Sequence, residues 1–160
     1  MPIRLIGPAI CGALVGAALA AVSFASASPQ GDTTVTTIKT IQQAVAFTSI
    51  DADHNGKPSV GDYSIAQVVH LSPKSGKPIG GGTAICTQID AAGSLYDCQG
   101  EDHFAGGDIR EAGRFRIAKG FRLAILGGTG VYQGAAGELN GTWLDAKLTK
   151  ARDIFTIRRG

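Results

Sequence analysis

The chain has 160 residues, 44% of them hydrophobic, and a formal net charge of +2. That length describes one domain with a core of useful size, and a charge so near neutral excludes nucleic acid and anionic membrane surfaces as electrostatically selected partners. The 23 glycines recur beside short β-branched runs, which favours many short strands over long helices.

Residues 1–27 read as a secretory signal peptide. Arg4 precedes an uncharged run from Leu5 to Ala25, and Ala25-Ser26-Ala27 is the small-x-small exit that a signal peptidase accepts. Cleavage there predicts a secreted chain with no remaining stretch able to span a bilayer. Residues 28–34 are small and polar. Residues 35–50 follow as a long extended segment with Val35, Ile38, Ile41, Val45 and Phe47 as its apolar members. Periodicity alone leaves a helix over 37–46 open, while threonine density and missing caps favour strand.

Residues 51–62, DADHNGKPSVGD, form a loop by their Asn-Gly and Pro content. Two readings of this loop stand. Asp51, Asp53, Asn55, Gly56, Ser59 and Asp62 match positions 1, 3, 5, 6, 9 and 12 of a calcium loop, where alternating oxygen ligands wrap a hard cation. Against that, Asp62 stands where a longer Glu is usual, Pro58 replaces the apolar residue of the pattern, and no helices flank the loop. The other reading is a polar turn with Asn55-Gly56 at its tip. Asp51, Asp53 and His54 are also the candidate catalytic residues, carboxylates and an imidazole for acid/base work at the mouth of a barrel.

Residues 63–72 alternate. Tyr63, Ile65, Gln67, Val69 and Leu71 share one face; Ser64, Ala66, Val68 and His70 share the other. The second face is the less apolar, so His70 reads as a surface histidine. After the turn 73–78, the runs 82–90 and 94–103 fold as a hairpin centred near Ala92, with Gly93 in the left-handed position. Cys86 then falls opposite Cys98, and Ile89 opposite Leu95. In an oxidising compartment an even cysteine pair at this register predicts a disulfide. No CxxC spacing supports a metal or redox role.

Residues 107–113 are a short strand around Ile109 that also carries Asp108 and Glu111. The runs 121–126, 137–148 and 154–158 complete a set of seven or eight strands. Asp102 and His103 adjoin in sequence and so point to opposite faces. Arg110, Arg114 and Arg116 read as a solvated edge. Tyr96, Tyr132 and Trp143 are the candidate ligand-binding aromatics. The chain has no nucleophile elbow, no zinc-protease helix motif and no phosphate loop. Many short strands at steady spacing make a barrel or a sandwich, and a barrel removes the exposed edges that a small exported β protein must avoid.

The glycine-rich stretch LAILGGTGVYQGAAGEL, from Leu123 to Leu139, has the character of a strand, a tight corner and a second strand. Together with Val60-Gly61-Asp62, Thr83-Ala84-Ile85-Cys86 and the Gly-bounded run 107–113, it resembles the allene oxide cyclase and dirigent protein superfamily, from Phe47 to Ile157. The resemblance divides the chain into a signal peptide at 1–27, an N-terminal segment with the first strand at 28–46, and the barrel at 47–160. It implies an all-β fold, a single eight-stranded antiparallel barrel, often homotrimeric, with an interior cavity and no cofactor. The implied partner is a small apolar molecule. The implied function is to steer cyclisation or stereoselective coupling of a reactive apolar intermediate, as an isomerase, a cyclase or a dirigent protein does. The glutamate of the plant cyclases is not matched: Phe47-Thr48-Ser49-Ile50-Asp51 occupies that region, so allene oxide is not the expected substrate, and whether the chain is an enzyme stays open. The alternative from a different class is a non-enzymatic extracellular binding or structural barrel, stabilised by calcium.

Overall fold

Strands with one face turned inward close on themselves when every edge finds a partner, and this chain does so with eight. A computed structural model describes residues 33–160; the signal peptide at 1–27 lies outside the described residues. The strands are β1 (Thr34–Ile50), β2 (Tyr63–Leu71), β3 (Pro78–Gln88), β4 (Leu95–Phe104), β5 (Gly107–Arg116), β6 (Phe121–Gly128), β7 (Ala136–Trp143) and β8 (Lys150–Arg159). Each pairs antiparallel with the next, and β1 pairs with β8 from Thr34↔Arg159 to Gln43↔Lys150, which closes the barrel. The ambiguous segment 37–46 is strand throughout. The first strand is continuous across Phe47, and its residues ahead of that point supply the closing seam. Among the described residues no helix is long and apolar enough to cross a membrane.

The hairpin between β3 and β4 has the expected register. Cys86 pairs with Cys98 across the strands, and the two form a disulfide with Cα atoms 4.1 Å apart. Ile89 N–H donates to Leu95 C=O at 3.0 Å, and Gly93 closes the turn at φ 66°. The glycine-rich corner also forms as expected, with one added feature: a single 3-10 turn at Gly130–Tyr132 joins β6 to β7. Gly130 is required there. Its φ is 56°, and a Cβ would sit 2.3 Å from the Gly106 carbonyl oxygen. That close approach docks the corner on the β4–β5 turn, where Thr129 N–H reaches Asp108 C=O and Val131 N–H reaches Gly106 C=O, both at 2.9 Å.

Residues on the inner face form rows across the strands. Ile38, Leu139 and Phe155 share one row, and Ile157, Phe104, Ile109, Ile125 and Tyr132 pack with them as a core that fills one end of the barrel. Phe104 meets Phe155 edge-on at 5.3 Å and Tyr132 at 6.4 Å, the preferred geometry for aromatic pairs. Burying a side chain such as Phe155 completely contributes about 2–3 kcal/mol. The other end is not filled, and its wall begins at the disulfide.

The bridge closes a loop across 12 positions, for which the chain-entropy model gives about 3 kcal/mol. Replacing Cys86 and Cys98 together by Ala is therefore expected to lower the unfolding free energy by about that amount. Urea denaturation of wild type and variant would show it, and an unchanged midpoint would contradict it.

Candidate functional site

Above the aromatic core the barrel encloses a cavity of about 710 Å³, within the range that holds a small organic molecule. Its wall is largely apolar or aromatic: Ala66 and Val68 on β2, Ala84 on β3, Tyr96 on β4, Phe115 on β5, Phe121 and Leu123 on β6, and Trp143 on β7. Phe115, Phe121 and Trp143 form a continuous aromatic side, with ring centroids 5.7 and 5.2 Å apart along the series. The Trp143 indole N–H is held by the Ile117 carbonyl at 2.7 Å, which fixes the ring. The rim comes from loops: Lys57 and Pro58 between β1 and β2, and Lys147, Leu148 and Thr149 between β7 and β8.

Two acidic side chains reach this cavity from below. Asp102 on β4 and Glu111 on β5 both line it and are 5% and 4% exposed. Glycines make the room for them. A Cβ at Gly82 would lie 2.0 Å from Asp102 Oδ1, and one at Gly100 would lie 2.2 Å from Glu111 Oε1. A carboxyl group placed in so apolar a wall loses its hydration, and the cost falls on the ionised form.

The two groups then diverge in their surroundings. Asp102 Oδ1 accepts a hydrogen bond from His70 Nε2 at 2.7 Å. His70 lies beneath the cavity with its ring stacked on Phe104 at 5.2 Å and edge-on to Phe155 at 5.7 Å. Its Nδ1 is 3.1 Å from Thr40 Oγ1 and 3.8 Å from Asp153 Oδ2. The ring thus holds Asp102 in one orientation from a fully buried position. Glu111 has no such partner, and its Oε2 is buried without a hydrogen bond. Burial, reinforced by the negative charges of Asp102, Asp153 and Glu101, pushes its pKa up to about 9. Asp153 is buried with neither oxygen in a hydrogen bond, its only ion-pairing neighbour among the described residues being the His70 ring. Burial pushes its pKa up to about 7, with His70 pulling it down and Asp102 pushing it up. Neutral Glu111 is a hydrogen-bond donor, beside an Asp102 that accepts.

The sequence candidates are distributed around this centre. Tyr96 and Trp143 are in the cavity wall. Tyr132 is buried at the filled end, outside the cavity wall, where its ring meets Phe104. Asp51 lies at the rim, while Asp53 and His54 are outside the lining, and His54 takes a positive φ of 58° in the exposed loop. Asp51, Asp53 and Asp62 each bring one oxygen within 4.8 Å of the others. Those carboxylates already serve the loop itself. Gly56 N–H donates to Asp51 at 2.7 Å, Ser59 N–H to Asp62 at 2.8 Å, and the Asn55 and Ser59 side chains both donate to Asp53. Backbone donors, the Gly56 N–H first, hold the Asp51 carboxyl below its ordinary pKa.

His70 is a correction: it is fully buried, not a surface residue. The face of β2 that carries Ser64, Ala66, Val68 and His70 looks inward, because small residues there leave the cavity open while His70 reaches its floor. Asp153 gave no sequence signal of its own. Neither Asp102 nor Glu111 is assigned to the inner face by the sequence reading; the signal left unused is their even spacing to Cys98 and Ile109, whose strand faces they share.

No family model matches the sequence, and no curated protein matches it. Solved structures do. A pyocyanin demethylase superposes with a TM-score of 0.65 at 23% identity, covering 76% of this chain and 99% of that one. The pterocarpan synthase dirigent protein GePTS1 gives 0.64 at 20% identity, over 79% of this chain and 84% of that one. The Diels-Alderase AbmU from Streptomyces koyangensis gives 0.68 at 17% identity, over 82% and 71% of the two chains. The fold is that of the allene oxide cyclase/dirigent barrels. In this chain the cavity floor carries the His70-bonded Asp102 and, on the neighbouring strand, Glu111 with Oε2 unpartnered.

The buried acid has a measurable consequence. Its pKa rises from 4.5 in the unfolded chain to about 9 in the fold. As pH climbs through that window the unfolded chain loses a proton that the folded chain keeps, so stability falls, at up to about 1.4 kcal/mol per pH unit. Glu111→Gln removes this term. The variant is expected to gain stability over wild type between pH 5 and pH 8, as measured by chemical denaturation at both values; a constant difference would show that Glu111 is ionised in the fold.

Proposed function

We propose that this barrel binds a small, flat, conjugated molecule and steers its rearrangement, cyclisation or coupling, with Asp102 and Glu111 handling protons. The observation that carries this reading is the pair of carboxyl groups in one apolar cavity, one fixed by His70 as an acceptor and one held as a neutral donor. The aromatic side formed by Phe115, Phe121 and Trp143 suits a planar ring system. A demethylase, a pterocarpan synthase and a Diels-Alderase among the solved structures of this shape support a small-molecule cavity put to catalytic use.

The chemistry balances as an isomerisation. Asp102 takes a proton from an acidic C–H, N–H or O–H of the ligand, and Glu111 gives its proton to a carbonyl or ring atom on the same molecule. No redox partner is needed. The enclosed wall restricts the ligand to few conformers, and this restriction is the part of catalysis that positioning supplies. Signal cleavage and secretion, with the ligand met outside the cell, belong to the same proposal, and the Cys86–Cys98 disulfide supports them.

Trp143 is the only tryptophan in the chain and it lines the cavity, so its fluorescence reports occupancy. Titration with a panel of planar phenazines, flavonoids and polyketide-type enones is expected to quench it. For any member that is converted, Asp102→Asn and Glu111→Gln are each expected to lower turnover by about 10²- to 10⁴-fold. Binding without conversion of any member would instead favour a non-catalytic binding barrel, conversion untouched by both changes would remove the proton-handling role of Asp102 and Glu111, and no quenching by any member would remove the ligand class.

A further inference from the structure

Glu111 has a second neighbourhood. On the outer surface of β3 to β6 lies a groove of about 550 Å³, and Glu111 and Thr83 line both this groove and the interior cavity. The barrel wall is thin there for identifiable reasons. The β5–β6 register slips between Arg110 and Glu111, so that Arg110 faces Gly127, Glu111 faces Ile125, and Leu126 is left outside the pairing. Gly127, at the slip, carries no side chain, and a Cβ there would meet nothing within 4 Å. Just outside, the exposed Glu101 carboxylate pairs with Arg110 at 3.6 Å.

We propose that the β5–β6 bulge is a proton port through which Glu111 exchanges with solvent across the barrel wall. This rests on the acid/base reading of the cavity and adds to it the route by which the acid is reset. The path from the mouth to Glu111 runs down a largely apolar wall and is a poor proton route even when the cavity is empty, and a ligand seated under the rim closes it altogether. After Glu111 gives its O–H proton to the ligand, the carboxylate must be re-protonated. A water in the outer groove supplies that proton, and the hydroxide left behind is neutralised by the proton that Asp102 took from the ligand and releases to solvent through the mouth once the product leaves, so the cycle closes with no net proton gained or lost. Glu101 stands at the outer end as a carboxylate that attracts protons to the opening. The groups facing Glu111 are Asp102 and Asp153 inside and Glu101 outside; all three carry negative charge towards it when ionised, and each raises its proton affinity.

The test needs no substrate. The infrared carboxylic-acid band that disappears in Glu111→Gln identifies the Glu111 proton, and its shift after rapid mixing into heavy water gives the exchange rate on the ligand-free protein. Ala112→Leu and, separately, Ile85→Phe fill the outer groove from positions that do not line the cavity. Ser64→Leu narrows the cavity from inside. The groove variants are expected to slow exchange about tenfold or more, as an added barrier of one logarithmic unit would, and Ser64→Leu to change it less than about twofold. Any pattern in which groove variants slow exchange no more than Ser64→Leu overturns the port, as does the absence of a band assignable to Glu111. Failure of the ligand panel, by contrast, leaves these rates unaffected, so the two readings fall separately.

Discussion

Everything in this molecule depends on the seam between β1 and β8. Ten consecutive residue pairs, Thr34↔Arg159 to Gln43↔Lys150, turn a meander into a ring and so create an inside. An open sheet of the same sequence would leave His70, Asp102, Glu111 and Asp153 on a surface that water could reach. Closure removes that water from both carboxyl groups alike; Asp102 keeps a hydrogen bond from His70, whereas Glu111 has none at Oε2 and burial pushes its pKa up. The polar floor is therefore a product of topology as much as of residue choice.

The floor is also where the structure accepts a cost. Buried carboxyl oxygens without partners destabilise a fold, and Glu111 and Asp153 both carry them. The aromatic packing of Phe104 and Phe155 below, and the disulfide in the wall above, offset that burden on either side. Residues kept in so unfavourable a place by an otherwise well-packed barrel are the residues expected to act.

Much of the architecture was legible in the sequence, because it rests on local signals. Alternation and turn residues located the strands, the Cys86/Cys98 spacing gave the hairpin register, and the run from Leu123 to Leu139 marked the corner. The site was less legible. Period-two reasoning takes the more apolar face of a strand to be the inner one, and on β2 that choice inverted the barrel. The cavity needs Ser64 and Ala66 inside because they are small, and it needs His70 inside because it is polar. Cross-strand neighbours hold the missing information. Gly82 and Gly100 next to Asp102 and Glu111 record side chains that must fit, but which glycine faces which carboxyl is fixed only once the register is known. Asp153 is the extreme case: nothing near it in the sequence says that β8 closes against Thr40.

The division between rim and floor has a consequence for how such a protein can change over generations. The groups proposed to move protons sit on β4 and β5, with Asp102 oriented by His70 on β2, all within the paired part of the barrel, whereas Lys57, Pro58, Lys147 and Leu148 at the rim belong to loops. Loops accept insertions and exchanges that paired strands do not. Selection can thus recast what enters while leaving the reactive floor intact, and lineages built on this barrel can diverge in diet without having to reinvent their chemistry.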